Sequence, residues 1–413
     1  MSFTASFAEP FARYVREHLF VPAAAARRRI GAEVELIPLL AESGATSPLE
    51  ARRGDDGPST LGFLRRFGAA RGWREQRSSK GAPYFVLPGG STLTFEPGGQ
   101  VELGSPPCET ASELIAALHG ELEPMIVAAA DHGIVMLSVG IDPVNDLSAV
   151  PLQLEAERYR RMDAYFNRLG PSGARMMRQT AATQLNLDAG ADPAARWRLL
   201  CDLAPYLTAI FANSAKYAGA ESGQRSFRAH CWRTLDATRT GNPRDDAPAC
   251  EAYTRFALSA VDMMRQDESD AYRPYGAWAS EGASTIERWE THLTTLFPEV
   301  RPRGHLELRS MDAIAPRWLA APIVVVCGLV YDRESACAAR EMLGSADEDA
   351  LSLAARCGLR TPSIGTTAAD LYALGIEGAR RLGESYVSPS DLDVALAFYE
   401  QFTRMGLSPA DER

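Results

Sequence analysis

Alternation constrains this chain more than any other feature. In Gly31-Ala32-Glu33-Val34-Glu35-Leu36, two glutamates leave one side of an extended segment while Ala32, Val34 and Leu36 leave the other. The pattern recurs around Pro97-Gly98-Gly99, where Thr94 and Glu96 stand on one arm and Gln100 and Glu102 on the other. That turn folds the arms into a hairpin and brings Glu96 near Glu102. In Thr183 to Asp188 the polar set is Gln184, Asn186 and Asp188; in Gly304 to Arg309 it is His305, Glu307 and Arg309. Alternation by itself describes any half-buried sheet with one face in water. Gathering Glu33, Glu35, Glu96, Glu102 and Glu307 on that face is different, because like charges on neighbouring strands destabilise a sheet. Divalent cations would relieve the repulsion. Oxygen-rich, thiol-free ligation by Glu, Gln and Asn suits magnesium or manganese rather than zinc. Metal on carboxylates with arginines alongside is a setting for phosphoryl transfer from a nucleotide. The candidate arginines are Arg178, Arg228, Arg303 and Arg309, and Arg309 stands out because it shares a face with Glu307.

Composition removes several alternatives. With 413 residues, 46% apolar and 23% charged, the chain can bury a large core. A net charge of -10 argues against a nucleic-acid surface. Lys80 and Lys216 are the only lysines, and no Gly-rich loop closes on Lys-Ser or Lys-Thr, so a nucleotide site here is not a P-loop. The seven cysteines form no CxxC pair, which excludes the usual zinc and dithiol motifs and suits a reducing compartment. No Gly-x-Ser-x-Gly elbow is present. Cys231, beside His230, reads as a buried thiol on a strand. The apolar run Ala320 to Val330 is too short to span a bilayer, and Glu9, Arg13, Arg16 and Glu17 spoil a signal peptide. A cytoplasmic location is expected, with no membrane and no nucleic-acid partner.

Strands are expected at Ile30 to Leu39, Ala82 to Leu87, Ser91 to Glu96, Gln100 to Gly104, Gly133 to Ile141, Thr180 to Asp188 and Gly304 to Met311. Helices are expected at Ser59 to Arg71, Glu109 to Asp131, Leu154 to Arg168, Pro193 to Ala212 and Thr285 to Leu296. Ala218 to Arg225, Thr240 to Pro248 and Gln266 to Gly282 read as loops. From Pro316 to the end the pattern is helical. The expectation is an α+β fold, one antiparallel sheet covered by helices, in a single catalytic domain over residues 1–413.

Taken together, Gly31 to Glu35, Phe95-Glu96-Pro97-Gly98-Gly99-Gln100-Val101-Glu102-Leu103, Thr183 to Asp188 and His292 to Arg301 resemble the glutamate–cysteine ligases of the plant and proteobacterial type. Leu306-Glu307-Leu308-Arg309 looks like that family's final active-site strand, and Arg303-Gly304 is similar to the actinobacterial ligases that serve ergothioneine synthesis. The matches run in order from about residue 30 to residue 332. The resemblance implies a glutamine-synthetase-like fold whose curved sheet forms a bowl. It implies ATP, L-glutamate and L-cysteine as substrates, with Mg2+ or Mn2+ as the metal and γ-glutamylcysteine as the product. Carried onto this sequence, Glu33, Glu35, Glu96, Glu102 and Glu307 are metal and ATP ligands, with Glu33, Glu96, Glu307 and Arg309 catalytic. Gln184 and Asn186 line the site, Arg178 and Arg228 hold substrate carboxylates or phosphates, and His230 and Trp232 belong to the same substrate-binding set. The chain departs from the family at Ala215 and Lys216 and in the loop Ala218 to Arg225. Those departures leave another amine acceptor open as an alternative. A non-catalytic, nucleotide-binding regulator is disfavoured, because such a relative tends to lose its ligands. Monomer and homodimer both remain open.

Overall fold

Residues 7–24, 27–51, 57–79, 81–241, 243, 247–343 and 348–412 are described by the computed structural model. Its strands, in chain order, are β1 (Ile30–Leu40), β2 (Arg74–Arg77), β3 (Pro83–Val86), β4 (Thr92–Phe95), β5 (Val101–Gly104), β6 (Ile134–Leu137) and β7 (Ala182–Asp188). They continue with β8 (Lys216–Tyr217), β9 (Ala220–Glu221), β10 (Val261–Gln266), β11 (Tyr272–Pro274), β12 (Val300–Pro302) and β13 (His305–Asp312). Nine of the described strands make one sheet in the order β12-β13-β7-β1-β5-β4-β3-β2, with β6 on β1; β8–β9 and β10–β11 are separate hairpins. Every pairing in the large sheet is antiparallel. The path has two ends, so the sheet is open.

The apolar half of the alternation explains which face the helices cover. Ile30, Ala32, Val34, Leu36, Leu93 and Val101 are at most 1% exposed and join one core with Leu185, Leu187, Leu306 and Leu308. Burying side chains of this size contributes about 1.5–3 kcal/mol each. Helix Ala320–Tyr331 is buried along its whole length, which accounts for the apolar run there. It packs against helix Pro362–Leu382 so closely that a Cβ at Gly328 would lie 1.9 Å from the Gly375 carbonyl oxygen. Among the described residues, no helix is long and apolar enough to cross a membrane. Downstream of Pro316 the regular elements of the described residues are all helices.

Several expectations need correction. Phe227–Leu235 is a helix, not a strand: the Ser226 hydroxyl accepts from the Ala229 N–H at 3.0 Å and caps it. Phe227, Cys231 and Leu235 at four-residue spacing were its signal. Pro171–Gln179 is a further helix, opened by a proline in its first turn. The expected loop Gln266 to Gly282 contains β11 and a helix, Tyr275–Ser280. Hairpin β8–β9 extends into Ala218 to Arg225, and part of Thr240 to Pro248 (242 and 244–246) lies outside the described residues.

Candidate active site

Register alone sets the polar face. Glu35 on β1 stands directly opposite Glu102 on β5, and Glu33 stands opposite Gln184 on β7. The β4–β5 hairpin turns through Pro97-Gly98-Gly99, with Gly99 at φ +88° and its N–H donating to the Glu96 carbonyl at 2.8 Å. As the turn predicts, Glu96 is delivered to Glu102. One oxygen each from Glu35, Glu96 and Glu102 lies within 4.8 Å of the other two.

That turn is seated against helix Pro171–Gln179. A Cβ on Gly98 would stand 2.0 Å from the Arg178 carbonyl oxygen, a backbone atom that cannot swing aside. Gly98→Ala is therefore expected to displace Glu96, lowering catalytic turnover at least tenfold and stability by about 1–3 kcal/mol. Gly89→Ala, at a position with nothing within 4 Å, serves as the neutral control. Thermal denaturation alongside the turnover assay checks both; equal behaviour of the two variants would refute the seating.

Hydrogen bonds hold the carboxylates in place. Glu35 accepts from the Ala182 N–H at 2.8 Å and from Gln184 Nε2 at 2.9 Å; Glu33 accepts from Asn186 Nδ2 at 3.1 Å. Glu102 accepts from the Thr94 hydroxyl at 2.6 Å. These bonds do not remove the strain of placing like charges together. Burial, and next the Glu96 charge, push the Glu35 carboxyl up to about 8, against the pull of Arg228 and Arg309. Burial also raises Glu96. Burial followed by Glu96, Glu33 and Glu35 lifts Glu102 well above the carboxylate range. An all-oxygen, thiol-free donor set of this kind could hold a magnesium or manganese ion.

Glu307 is the opposite case. It is fully buried, yet Arg301 and Arg309 outweigh that burial and hold its carboxyl below the ordinary range. Arg301, its cross-strand partner on β12, grips both oxygens at 2.8 and 2.9 Å; Arg303 reaches it at 3.4 Å, and Arg309 also donates to it. In this arrangement Glu307, expected among the metal and ATP ligands, anchors three arginines beside the carboxylate cluster. Arg309 meanwhile donates to Gln184 Oε1 at 2.6 Å, which fixes its charge beside the carboxylates.

A cavity of about 260 Å³ collects most of these groups. It is lined by Glu33, Glu35, Glu96, Glu102, Gln184, Trp232 and Arg309 among the expected residues. Asn186 is one step removed, behind Glu33. Arg228 lies beneath the cavity: its guanidinium donates to the Arg309 carbonyl at 2.8 Å, covers the Trp232 ring at 4.5 Å and is 3.9 Å from Asp312. It supports Arg309 and Trp232 rather than lining the cavity. Arg178 pairs with Asp163, and His230 stacks on Phe227, and neither lines the cavity. Both sit on helices, Arg178 at the end of Pro171–Gln179 and His230 within Phe227–Leu235.

The cavity also takes in Arg158, Tyr159, Met162, Met176, Met177, Phe297 and Arg301, none of which stood among the candidate site residues. Arg301 had a signal, since Arg301, Arg303, His305 and Glu307 continue one alternation through the β12–β13 turn. Arg158 and the methionines had none, because a helix pattern does not say which of its faces will meet a distant sheet.

An open antiparallel sheet whose polar face gathers carboxylates bordered by arginines suits phosphoryl transfer, and similarity to known proteins gives the class, an ATP-dependent ligase. The chain belongs to glutamate–cysteine ligase family 2, whose model matches residues 29–412. It is 33% identical over 344 residues to the glutamate–cysteine ligase EgtA of Mycolicibacterium smegmatis, covering 79% of this chain and 78% of that protein. It is 34% identical over 263 residues to the chloroplastic glutamate–cysteine ligase A of Oryza sativa subsp. japonica, covering 60% of this chain and 53% of that protein. Among solved structures it is similar in fold to the glutamate–cysteine ligase of Francisella tularensis in complex with AMP. The TM-score is 0.52 at 10% identity, over 94% of this chain and 84% of that one.

Proposed function

We propose that this ligase joins the γ-carboxylate of L-glutamate to the amine of L-cysteine at the expense of ATP. The observation that carries the reading is the Glu35, Glu96 and Glu102 oxygen cluster at the floor of the cavity, with Arg309 fixed beside it. The glutamate γ-carboxylate oxygen attacks the γ-phosphorus of ATP, ADP leaves, and a γ-glutamyl phosphate forms. The acceptor amine then attacks the acyl carbon, phosphate departs with the C–O bond electrons, the nitrogen gives up one proton to phosphate or solvent, and the amide remains. Magnesium held by Glu35, Glu96 and Glu102, with Glu33 alongside, would neutralise phosphate charge.

The protein's own groups supply the rest. Arg309, braced by Glu307 and Gln184, presents positive charge where negative charge gathers on the transferred phosphoryl group. Met162, Met176, Met177, Trp232 and Phe297 give the cavity an apolar wall that keeps water from the acyl phosphate. The departures at Ala215 and Lys216 fall on or beside the β8–β9 hairpin, and neither residue lines the cavity. They give no support to a different acceptor. Seven free thiols support work in a reducing cytoplasm.

The test is ADP release with ATP, magnesium and L-glutamate across a panel of amines. Strong, selective stimulation by cysteine, abolished by EDTA and restored by magnesium, is the expected outcome. Stimulation by another amine with cysteine silent sinks the acceptor; indifference to EDTA sinks the metal.

A further inference from the structure

Gln153 does not line the cavity; it lies in the stretch 151–156, neither helix nor strand, that leads into helix Glu157–Leu169. Four hydrogen bonds converge on it. Its backbone N–H donates to the Pro97 carbonyl oxygen at 2.7 Å. Its side-chain Nε2 donates to the Gly98 carbonyl oxygen at 2.7 Å and to the Ser47 carbonyl oxygen at 3.2 Å, and Oε1 accepts from the Leu49 N–H. A primary amide carries two N–H groups, so both donors are used on backbone carbonyls, one of them in the turn that delivers Glu96. The fit is close, since a Cβ on Gly99 would lie 2.4 Å from Nε2. Gln100, on the cavity wall, grips the same turn: its Oε1 accepts from the Gly98 N–H at 3.0 Å and its Nε2 donates to the Thr180 carbonyl oxygen at 2.9 Å. Helix Glu157–Leu169 has no side-chain cap of its own, so its start depends on what fixes the residues before it. That helix brings Arg158, Tyr159 and Met162 to the cavity. Burial raises the Glu96 carboxyl, and Arg158 is the charge that opposes it most.

We propose that Gln153 is a positioning residue for the ligase reaction, tying the Pro97-Gly98-Gly99 turn to the start of helix Glu157–Leu169 and so setting Glu96 against Arg158. Its amide acts through the turn and the helix, without touching substrate. This role rests on the ligase reading above, in which Glu96 is one of the carboxylates that hold the metal. It adds a residue on neither the sheet nor the cavity wall that keeps two walls of the cavity in register.

Calorimetric titration of the full chain with Mn2+ in the absence of substrates, together with steady-state turnover, tests the role. Gln153→Ala is expected to lower kcat at least tenfold and to weaken Mn2+ binding at least threefold. Gln153→Glu keeps the length and the acceptor for Leu49, but it sets carboxylate oxygen against two carbonyls and should lose at least as much. Combined with Gly98→Ala, the loss in kcat should fall short of the product of the single losses, because both changes act through one turn. Tyr372→Phe is the control for lost stability: it removes a buried hydrogen bond to the Ala395 carbonyl oxygen, 2.8 Å long, between C-terminal helices. It should leave kcat and Mn2+ affinity within twofold of wild type. Gln153 variants that keep both quantities within twofold overturn the positioning role and leave the ligase reading standing. So do equal losses in Tyr372→Phe, or a double variant that loses the full product. A wild-type protein that binds no Mn2+ overturns the metal reading and this role together.

Discussion

Replacing Glu35 by glutamine is expected to stop turnover while making the metal-free protein more stable. The carboxyl is buried opposite Glu102 and near Glu96, and its pKa in the folded chain is about 8. In the unfolded chain the ordinary value of about 4.3 applies. A folded pKa above the unfolded one stabilises the fold fully below the unfolded value, and that contribution is lost as pH rises through about 8. At neutral pH the metal-free wild type therefore carries a destabilising contribution from this group. Glutamine has the same shape and no charge, so the variant escapes the penalty. Urea unfolding in EDTA should show the wild type gaining stability between pH 8 and pH 4.5, and Glu35→Gln gaining less, the remainder coming from Glu96 and Glu102. Magnesium should raise the wild-type midpoint and leave the variant unmoved, with ADP release down about a thousandfold. A variant less stable than wild type in EDTA would show that the carboxylate cluster is not electrostatically strained.

Glu307→Gln should have the reverse effect on stability. Glu307 neutralises Arg301, Arg303 and Arg309 at a position with no solvent exposure. Removing its charge strands guanidinium groups in the interior, and breaking a buried pair of this kind costs about 3–5 kcal/mol. Turnover should fall with it, because Arg309 loses one of its two braces. Adding Arg301→Met to Glu307→Gln should recover part of the stability and none of the activity. Denaturant midpoints and ADP release measured on the single and double variants decide the matter. Stability within about 1 kcal/mol of wild type in Glu307→Gln would mean the arginines find other partners, and the cage would lose its structural role.

The contrast between these two glutamates shows how far sequence reading reached. Both occur in an alternating strand, and alternation assigns both to the polar face. Their same-strand neighbours differ, Glu33 beside Glu35 and Arg309 beside Glu307, but that difference does not say what each faces across the sheet. What separates them is the neighbouring strand: β5 sets Glu102 opposite Glu35, whereas β12 sets Arg301 opposite Glu307. Arg178, Arg228 and His230 show the same limit, since their positions depend on helices that were not anticipated.

The sequence by itself determined the sheet, its polar face, the Glu96–Glu102 hairpin and the family, because period-two alternation and a Pro-Gly-Gly turn act over a few residues. Tertiary structure alone decided which carboxylates meet each other and which meet arginine. It also brought Arg158 from a helix to the mouth of the cavity. Charge interactions fall off with distance, so a carboxylate's role depends on partners about 60 residues away as readily as on its own neighbours, as with Glu35 and Glu96. Only the folded chain fixes those distances.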